Sequence, residues 1–234
     1  MANDIYTRTK MLVGTKGVEN LKNAHVAVFG IGGVGSFTAE ALVRAGVGKI
    51  TIVDGEVFDE TNLNRQLFAL KSTIGMPKVQ VAKQRFADIN PDAEVFAHNC
   101  FYTGDEINLE NIDYIADCID TVTSKLKLIE NASKLGIPII SCMGAGNRLD
   151  CGAFEVKDIF ETSGCPLARV MRHELRKRKI DKLKVLFSSE EAIKPMIDEN
   201  QAKDIKKIIG SISYVPSSAG LMLAGEIIKD ICFR

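Results

Sequence analysis

Through the first 145 residues, short apolar, β-branched runs alternate with stretches whose apolar positions recur every three or four residues. "HVAVFG" (25–30) predicts a buried strand, "GSFTAEALVRAG" a helix, and "KITIVD" (49–54) the next strand. A helix opens at Pro77 in "GMPKVQVAKQRFADIN", since proline suits a first turn. "EVFAHNC", "YIADCID" and "PIISCMG" predict three more strands. The helix "SKLKLIENASKLG" separates the last two, and Gly136 is its expected C-cap. Strands that are apolar on both faces and separated by helices imply a parallel, doubly wound sheet. After about residue 150 the pattern changes. "CGAFEVKDIF" predicts an antiparallel strand, "CPLARVMRHELRKRKI" a helix, "KLKVLFSS" a strand and "SSAGLMLAGEIIKDI" a final helix. Residues 190–209 are polar and predict a mobile loop with a short helix.

Composition adds bounds. A chain of 234 residues with 46% hydrophobic and 26% charged residues can bury a full core. Formal net charge is zero, so the overall field gives no hint of a nucleic-acid partner, although a local patch could still exist. No N-terminal stretch combines a basic start, an apolar run and a small-residue cleavage site, so a cytoplasmic location is expected. The apolar "AGLMLAGEIIKDI" carries Glu226 and Lys229 and reads as a packed helix, not a membrane span. Six cysteines (Cys100, Cys118, Cys142, Cys151, Cys165, Cys232) form no CxxC pair. No zinc site is expected, and the thiols should be reduced, several of them as small apolar strand residues.

The chemistry starts at "FGIGGVGS". Gly30, Gly32 and Gly35 satisfy GxGxxG, Gly33 adds a fourth glycine, and the motif follows a strand and opens a helix. Glycines let the backbone turn tightly against a phosphate, and the helix N-terminus offers free N–H groups. Asp54 ends the second strand, placed to accept hydrogen bonds from ribose hydroxyls. These features fit an adenine nucleotide without saying which one. "DETNLNRQLF" then places Asn62, Arg65 and Gln66 beyond the acid, with Lys78 on the next helix. A nicotinamide cofactor presents only a diphosphate, whereas in-line attack on a triphosphate builds further charge that Arg and Lys stabilise. Arg65 and Lys78 therefore favour ATP. In "DCIDTVTSK", Asp120 is suited to hold Mg²⁺ against phosphates, or alternatively to cap the helix that begins near Thr121. The expected fold class is α/β, a doubly wound, mostly parallel Rossmann-like sheet with a C-terminal antiparallel elaboration. It should form one domain over residues 1–234, with a helical arm (1–24), a nucleotide-binding core (25–150) and a substrate-side part (151–234). An NAD-dependent oxidoreductase and a non-enzymatic nucleotide-binding module remain alternatives.

With "GIGGVGS", Asp54, "TNLNRQ", Lys78 and "DCID" in this order and spacing, the chain resembles the ubiquitin-activating-enzyme-like superfamily, the adenylating proteins that include ThiF and MoeB. The resemblance implies that Asp54, Asn62, Arg65, Lys78 and Asp120 surround ATP. It also implies that Arg8, in "YTRTKMLVG", reaches the ATP site of a second subunit in a homodimer. Within the superfamily, "RTKMLVG", "MGAGNRLD", "PLARVMRHELRKR", "FSSEEAIKP" and "GSISYVPSSAGLMLAGEIIKD" resemble the tRNA threonylcarbamoyladenosine dehydratases. That implies ATP-dependent cyclisation of threonylcarbamoyladenosine at position 37 of tRNA. The side-chain carboxylate is activated and then attacked by the substrate's own carbamoyl group. The alternative inside the superfamily is adenylation of a sulfur-carrier protein's C-terminus. A sulfur-transfer partner is conceivable on either reading.

Two further features are weighed against this. Cys165 precedes Pro166 at a helix start, where a thiol pKa can fall. Ring closure within the substrate needs no thioester, so an unreactive thiol is the favoured reading. Residues 169–184 hold eight Lys/Arg against two acids. Arg169, Arg172, Arg176, Lys177, Arg178 and Lys179 are candidate contacts to a tRNA backbone, without aromatics to read bases. A solvated helix face is the other reading. His173 is assigned nothing, and His25 and His98 read as strand residues.

Overall fold

The computed structural model describes residues 5–194, 196 and 209–234. Among these residues seven strands form one sheet: β1 (His25–Phe29), β2 (Lys49–Val53), β3 (Glu94–His98), β4 (Tyr114–Asp117), β5 (Ile139–Cys142), β6 (Phe154–Asp158) and β7 (Lys184–Ser188). Their order is β3-β2-β1-β4-β5-β7-β6, all parallel except β6, which runs antiparallel to β7 at one edge. The α-helices among the described residues are α1 (Thr7–Asn23), α2 (Gly35–Ala45), α3 (Lys78–Ile89), α4 (Val122–Leu135), α5 (Pro166–Lys177) and α6 (Tyr214–Cys232). From β1 the chain builds outward to β3, then returns to start again at β4 on the other side. The β1/β4 junction is therefore the switch point of the sheet, where such folds open a crevice.

Successive residues of a strand face opposite sides of the sheet, and here both sides are covered. Val26 and Val28 enter a core with Leu42 of α2, Phe86 of α3 and Leu223 and Ile227 of α6. Ala27 and Phe29 enter a second core with Leu128 and Ala132 of α4. A third cluster packs α5 through Met171 and Leu175 against Val185 and Phe187 of β7. This double burial is why the strands read as uninterrupted apolar runs. The expected helical arm is α1, kinked at Gly14 (φ 73°), with Gly17, Val18 and Leu21 buried.

Several boundaries differ from expectation. The segment 151–160 is a strand only over β6. Short 3-10 turns flank it because the Asp150 and Asp158 side chains accept the N–H groups of Gly152 and Phe160. Pro77 stands just before α3, whose first residue is Lys78. The helix expected over 165–180 ends at Lys177, and Lys179 adopts a left-handed φ of 58°. The basic stretch is consequently a helix, a turn and the start of β7. Cys142 is the one cysteine within a strand, correcting the expectation of several; Cys100 and Cys118 lie just past strand ends. His25 and His98 do sit in β1 and β3, while His173 is exposed on α5. The stretch expected as a mobile loop, 190–209, falls largely outside the described residues.

Two glycines at the switch point have no room for a side chain. A Cβ on Gly30 (φ 86°) would lie 2.7 Å from the Cys118 carbonyl oxygen, and one on Gly35 only 1.8 Å from the Gly30 carbonyl oxygen. By contrast, a Cβ on Gly225 in α6 meets nothing within 4 Å. We expect Gly35→Ala to lower unfolding free energy by about 3 kcal/mol or more, with Gly225→Ala neutral or stabilising by up to about 1 kcal/mol. Urea denaturation of both variants is the check, and equal effects at the two positions would contradict the close approach.

Candidate nucleotide site

A cavity of about 780 Å³ lies over the β1/β4 switch point, lined by residues from the sheet's C-terminal edge and the loops that follow. Five helices begin at its wall. Gly32–Val34 lead into α2, Lys78 opens α3, and Thr121 precedes α4. Cys165 and Pro166 start α5, and Pro216 lies in the first turn of α6. Helix N-termini carry unpaired N–H groups and the positive end of the dipole, so the cavity is biased towards anions before any side chain is counted.

Asp54 follows β2 directly. Its Oδ2 accepts the Ile31 N–H (2.7 Å) and its Oδ1 the Glu56 N–H (2.9 Å), tying the glycine loop to the end of β2. Burial pushes its pKa up, against the opposing pull of Lys78 and these two hydrogen bonds. Each oxygen keeps a free lone pair for a ligand hydroxyl. Segment 56–58 pairs with 75–78 through Phe58 N–H to Met76 O (3.0 Å) and Gly75 N–H to Phe58 O (2.8 Å). That pairing sets Lys78 at the cavity wall, only 2% exposed, with its ammonium on the Glu56 carboxylate. Arg65 is half-buried, its Nη1 donating to Thr61 O (2.8 Å) and Asn64 Oδ1 (2.9 Å). Asn62 and Gln66 are buried, yet Asn62 Oδ1 and Gln66 Oε1 have no hydrogen-bond partner among the described residues. Buried acceptors are rarely left unpaired, so both await a donor.

Beneath the cavity, Asp117 and Lys125 form a wholly buried ion pair at 2.8 Å. The Lys125 ammonium also donates to Ser141 Oγ (3.0 Å) and to Cys142 O (3.0 Å), and Ser141 Oγ donates to Asp117 Oδ2 (2.6 Å). Asp117 Oδ1 accepts the Ile119 N–H (3.1 Å), which shapes the turn that carries Asp120 to the wall. Asp120 is exposed. It does not cap α4, since Thr121 is the N-cap residue, and its side chain accepts a hydrogen bond from Thr121 Oγ1 (3.3 Å).

The cavity thus brings together Gly30, Gly32, Gly33, Asp54, Asn62, Arg65, Gln66, Lys78 and Asp120, with Cys165 also on its wall. Gly35 lies beneath, as packing and not lining. Arg8 is exposed on the first turn of α1 and off this wall. The basic residues of α5 are also elsewhere, and part of that set is already engaged. Arg172 Nη1 donates to Thr162 O (3.0 Å), Lys177 pairs with Glu174 (2.7 Å), and Arg178 pairs with both Glu130 and Glu174. Arg176 stacks on Phe160, whereas Arg169 and Lys179 are exposed. The sequence reading passed over Glu56, Lys125 and Arg148. Lys125 lies eight residues after Asp117 with the spacing of an ordinary helix lysine, so only the three-dimensional pairing reveals it.

A doubly wound sheet with an anion-seeking cavity at its switch point defines an α/β protein of the Rossmann-like class. The chain belongs to the ThiF family, whose model matches residues 6–233. It is 43% identical over 238 residues to a Bacillus subtilis (strain 168) protein named tRNA threonylcarbamoyladenosine dehydratase, covering 97% of this chain and 94% of that one. Its structure is similar to that of E. coli tRNA N6-threonylcarbamoyladenosine dehydratase, TcdA, in complex with ATP. There the TM-score is 0.86 at 31% identity, with 97% of this chain and 93% of that chain covered. A complex of the same E. coli protein with AMP gives 0.87 at 31% identity, covering 99% and 96%. The resemblance read from the motifs holds.

Removing one partner of a satisfied buried pair strands the other charge. Lys125→Met is expected to cost about 3–5 kcal/mol of stability, and the double variant Lys125→Met/Asp117→Leu to recover a large part of it. Chemical denaturation of both variants is the check, and a mild effect of Lys125→Met alone would contradict the pairing.

Proposed function

We propose that this protein uses ATP to activate the side-chain carboxylate of threonylcarbamoyladenosine in tRNA, so that the modification closes into a ring with loss of the elements of water. The carrying observation is the cavity itself. Unpaired acceptors Asn62 Oδ1 and Gln66 Oε1, the cations Arg65 and Lys78, the Asp54 carboxylate and five helix N-termini surround one space. The named relatives and the ATP and AMP complexes of TcdA support the same reading. Under it, Asp54 takes the ribose hydroxyls and the glycine loop the phosphates. Arg65 and Lys78 stabilise the charge that builds at the α-phosphorus and on departing pyrophosphate. Lys78 would exchange Glu56 for a phosphate oxygen. Asp120 would hold Mg²⁺, an ion that takes one or two carboxylates plus phosphate oxygens and, when bound, withdraws charge from the phosphates. Among the described residues no group of three His, Cys, Asp or Glu side chains converges on a metal site, so most ligands would come from the nucleotide and water.

A carboxylate is a poor electrophile because its oxygen leaves badly. Attack of that oxygen on the α-phosphorus gives an acyl adenylate and pyrophosphate. The substrate's carbamoyl group then attacks the acyl carbon, and AMP departs with the former carboxylate oxygen. No protein nucleophile is needed. Burial pushes the Cys142 thiol up to about 12 and Cys118 well above its ordinary value, so neither supplies a thiolate at neutral pH. Cys165 is the N-cap of α5 at 3% exposure and is given no covalent role.

For the tRNA, Arg169 and Lys179 are the best placed backbone contacts, and the paired Arg172, Lys177 and Arg178 are weaker ones. A homodimer is expected because Met11 (82% exposed) and Leu12 (85%) stand out from α1 beside Arg8, which in a dimer would serve its partner's cavity. A cytoplasmic location is consistent with the proposed tRNA substrate. Among the described residues no helix is long and apolar enough to cross a membrane.

The decisive assay incubates the protein with ATP, Mg²⁺ and threonylcarbamoyl-modified tRNA and reads the nucleosides by mass spectrometry. Loss of one water from the modified nucleoside is expected, with turnover lowered about a hundredfold or more by Lys78→Ala or Asp120→Ala. An unchanged nucleoside would sink the substrate assignment. Separately, tRNA anisotropy across a salt series should show Arg169→Ala reducing the slope of log K against log salt by about 1, and Arg172→Ala leaving it nearly unchanged. The reverse ranking would contradict the assignment of free and engaged cations.

A further inference from the structure

One strongly ionised group on the cavity wall has no place in the nucleotide set. Arg148, in the loop between β5 and β6, is only 4% exposed and lines the cavity, yet its Nε and Nη1 have no hydrogen-bond partner among the described residues. A guanidinium cannot shed its proton to escape such a setting, so a buried, unpaired one marks a missing anion. Two acids of the flanking segments are engaged by backbone N–H groups. Glu190 accepts the N–H groups of Leu149 (3.1 Å) and Asp150 (3.0 Å), and Asp150 Oδ1 caps Gly152 (2.8 Å).

The loop that carries Arg148 is held on both flanks. Asn147, itself at φ 55°, donates its backbone N–H to Gly210 O (2.8 Å), and its Oδ1 accepts the Gly210 N–H (2.7 Å). Tyr214, at the start of α6, donates to Leu149 O (2.7 Å). The side chain is therefore positioned before any ligand arrives, as a recognition group needs to be. Its location separates it from the phosphate groups. The glycine loop, Arg65 and Lys78 stand on the β1–β2 side of the switch point, whereas Arg148 follows β5, two strands from β1 and thus roughly 10 Å across the sheet. It stands on the side where the Cys165–Leu167 turn starts α5.

We propose that Arg148 binds the substrate carboxylate and presents it to the nucleotide, so that this residue distinguishes threonylcarbamoyl-modified tRNA from tRNA lacking that group. The proposal deepens the functional reading above and rests on it. A carboxylate gripped by the Nε and Nη1 edge of one guanidinium keeps a further lone pair on each oxygen to attack phosphorus, and the planar donor fixes the direction of that attack.

The test compares wild type, Arg148→Met and Arg148→Lys by equilibrium binding of threonylcarbamoyl-modified and unmodified tRNA, binding of ATP alone, and thermal melting. For wild type, tighter binding of the modified tRNA is expected. Arg148→Met should cut that preference about tenfold or more and Arg148→Lys should keep part of it. ATP affinity should stay within about twofold, with a melting temperature no lower than wild type, because a buried charge without a partner has been removed. Loss of ATP affinity with tRNA preference intact would overturn the proposal and make Arg148 a phosphate ligand. A preference unchanged in Arg148→Met, or a lowered melting temperature with both bindings lost, would also overturn it. If wild type itself does not prefer the modified tRNA, the functional reading fails, and the inference fails with it.

Discussion

The ion pair between Asp117 and Lys125 is the constraint on which the site depends. Both side chains have no exposure, yet each polar atom of the cluster has a partner, drawn from β4, β5, α4 and the turn between β4 and α4. A buried pair is tolerable only when satisfied in this way, and once satisfied it is rigid. It fixes the end of β4 against β5 and α4, and so fixes the Cys118 carbonyl over which Gly30 must pass without a side chain. The glycine loop, the turn to Asp120 and the start of α4 all take their positions from that floor.

Above the floor the accounting reverses. Asn62 Oδ1, Gln66 Oε1 and two nitrogens of Arg148 are buried and have no partner among the described residues, and these three residues line one cavity. Unsatisfied groups are costly, and a chain that meets every demand of its floor leaves them open on its wall only where a ligand completes them. Their division is informative. The open acceptors lie beside the glycine loop with Arg65 and Lys78, suited to the donors and charge of a nucleotide, and the open donors lie across the switch point, suited to an anion arriving from the α5 side.

Much of this was readable along the chain. Both-face burial made the parallel strands legible as apolar runs, and the glycine loop followed by Asp54 marked the crevice, because close backbone approach leaves a residue-type signature. Asn62, Arg65 and Gln66 were legible as candidates because they follow that acid in one short segment, and Lys78 because it opens the next helix; all four line the cavity. What was not readable depends on distant partners. Lys125 carries the sequence signature of an exposed helix lysine and is buried only because Asp117 faces it. Arg148 sits in a glycine-rich loop with no periodicity. Arg178 looked like a free cation, but Glu130 of α4 and Glu174 of α5 hold it. Gly35 satisfied a phosphate motif, yet the Gly30 carbonyl is what excludes a side chain there. Local pattern located the site, and long-range pairing decided which of its charges are available.

The central claim is that the substrate carboxylate is activated on the nucleotide in this cavity. It is tested most directly by following the carboxylate oxygens. Modified tRNA carrying heavy oxygen in that carboxylate would be turned over with ATP, and the nucleotide products and solvent analysed for the label. One labelled oxygen per turnover in AMP is the result expected from attack at the α-phosphorus followed by ring closure. Label released to water, with unlabelled AMP and phosphate, would contradict the account.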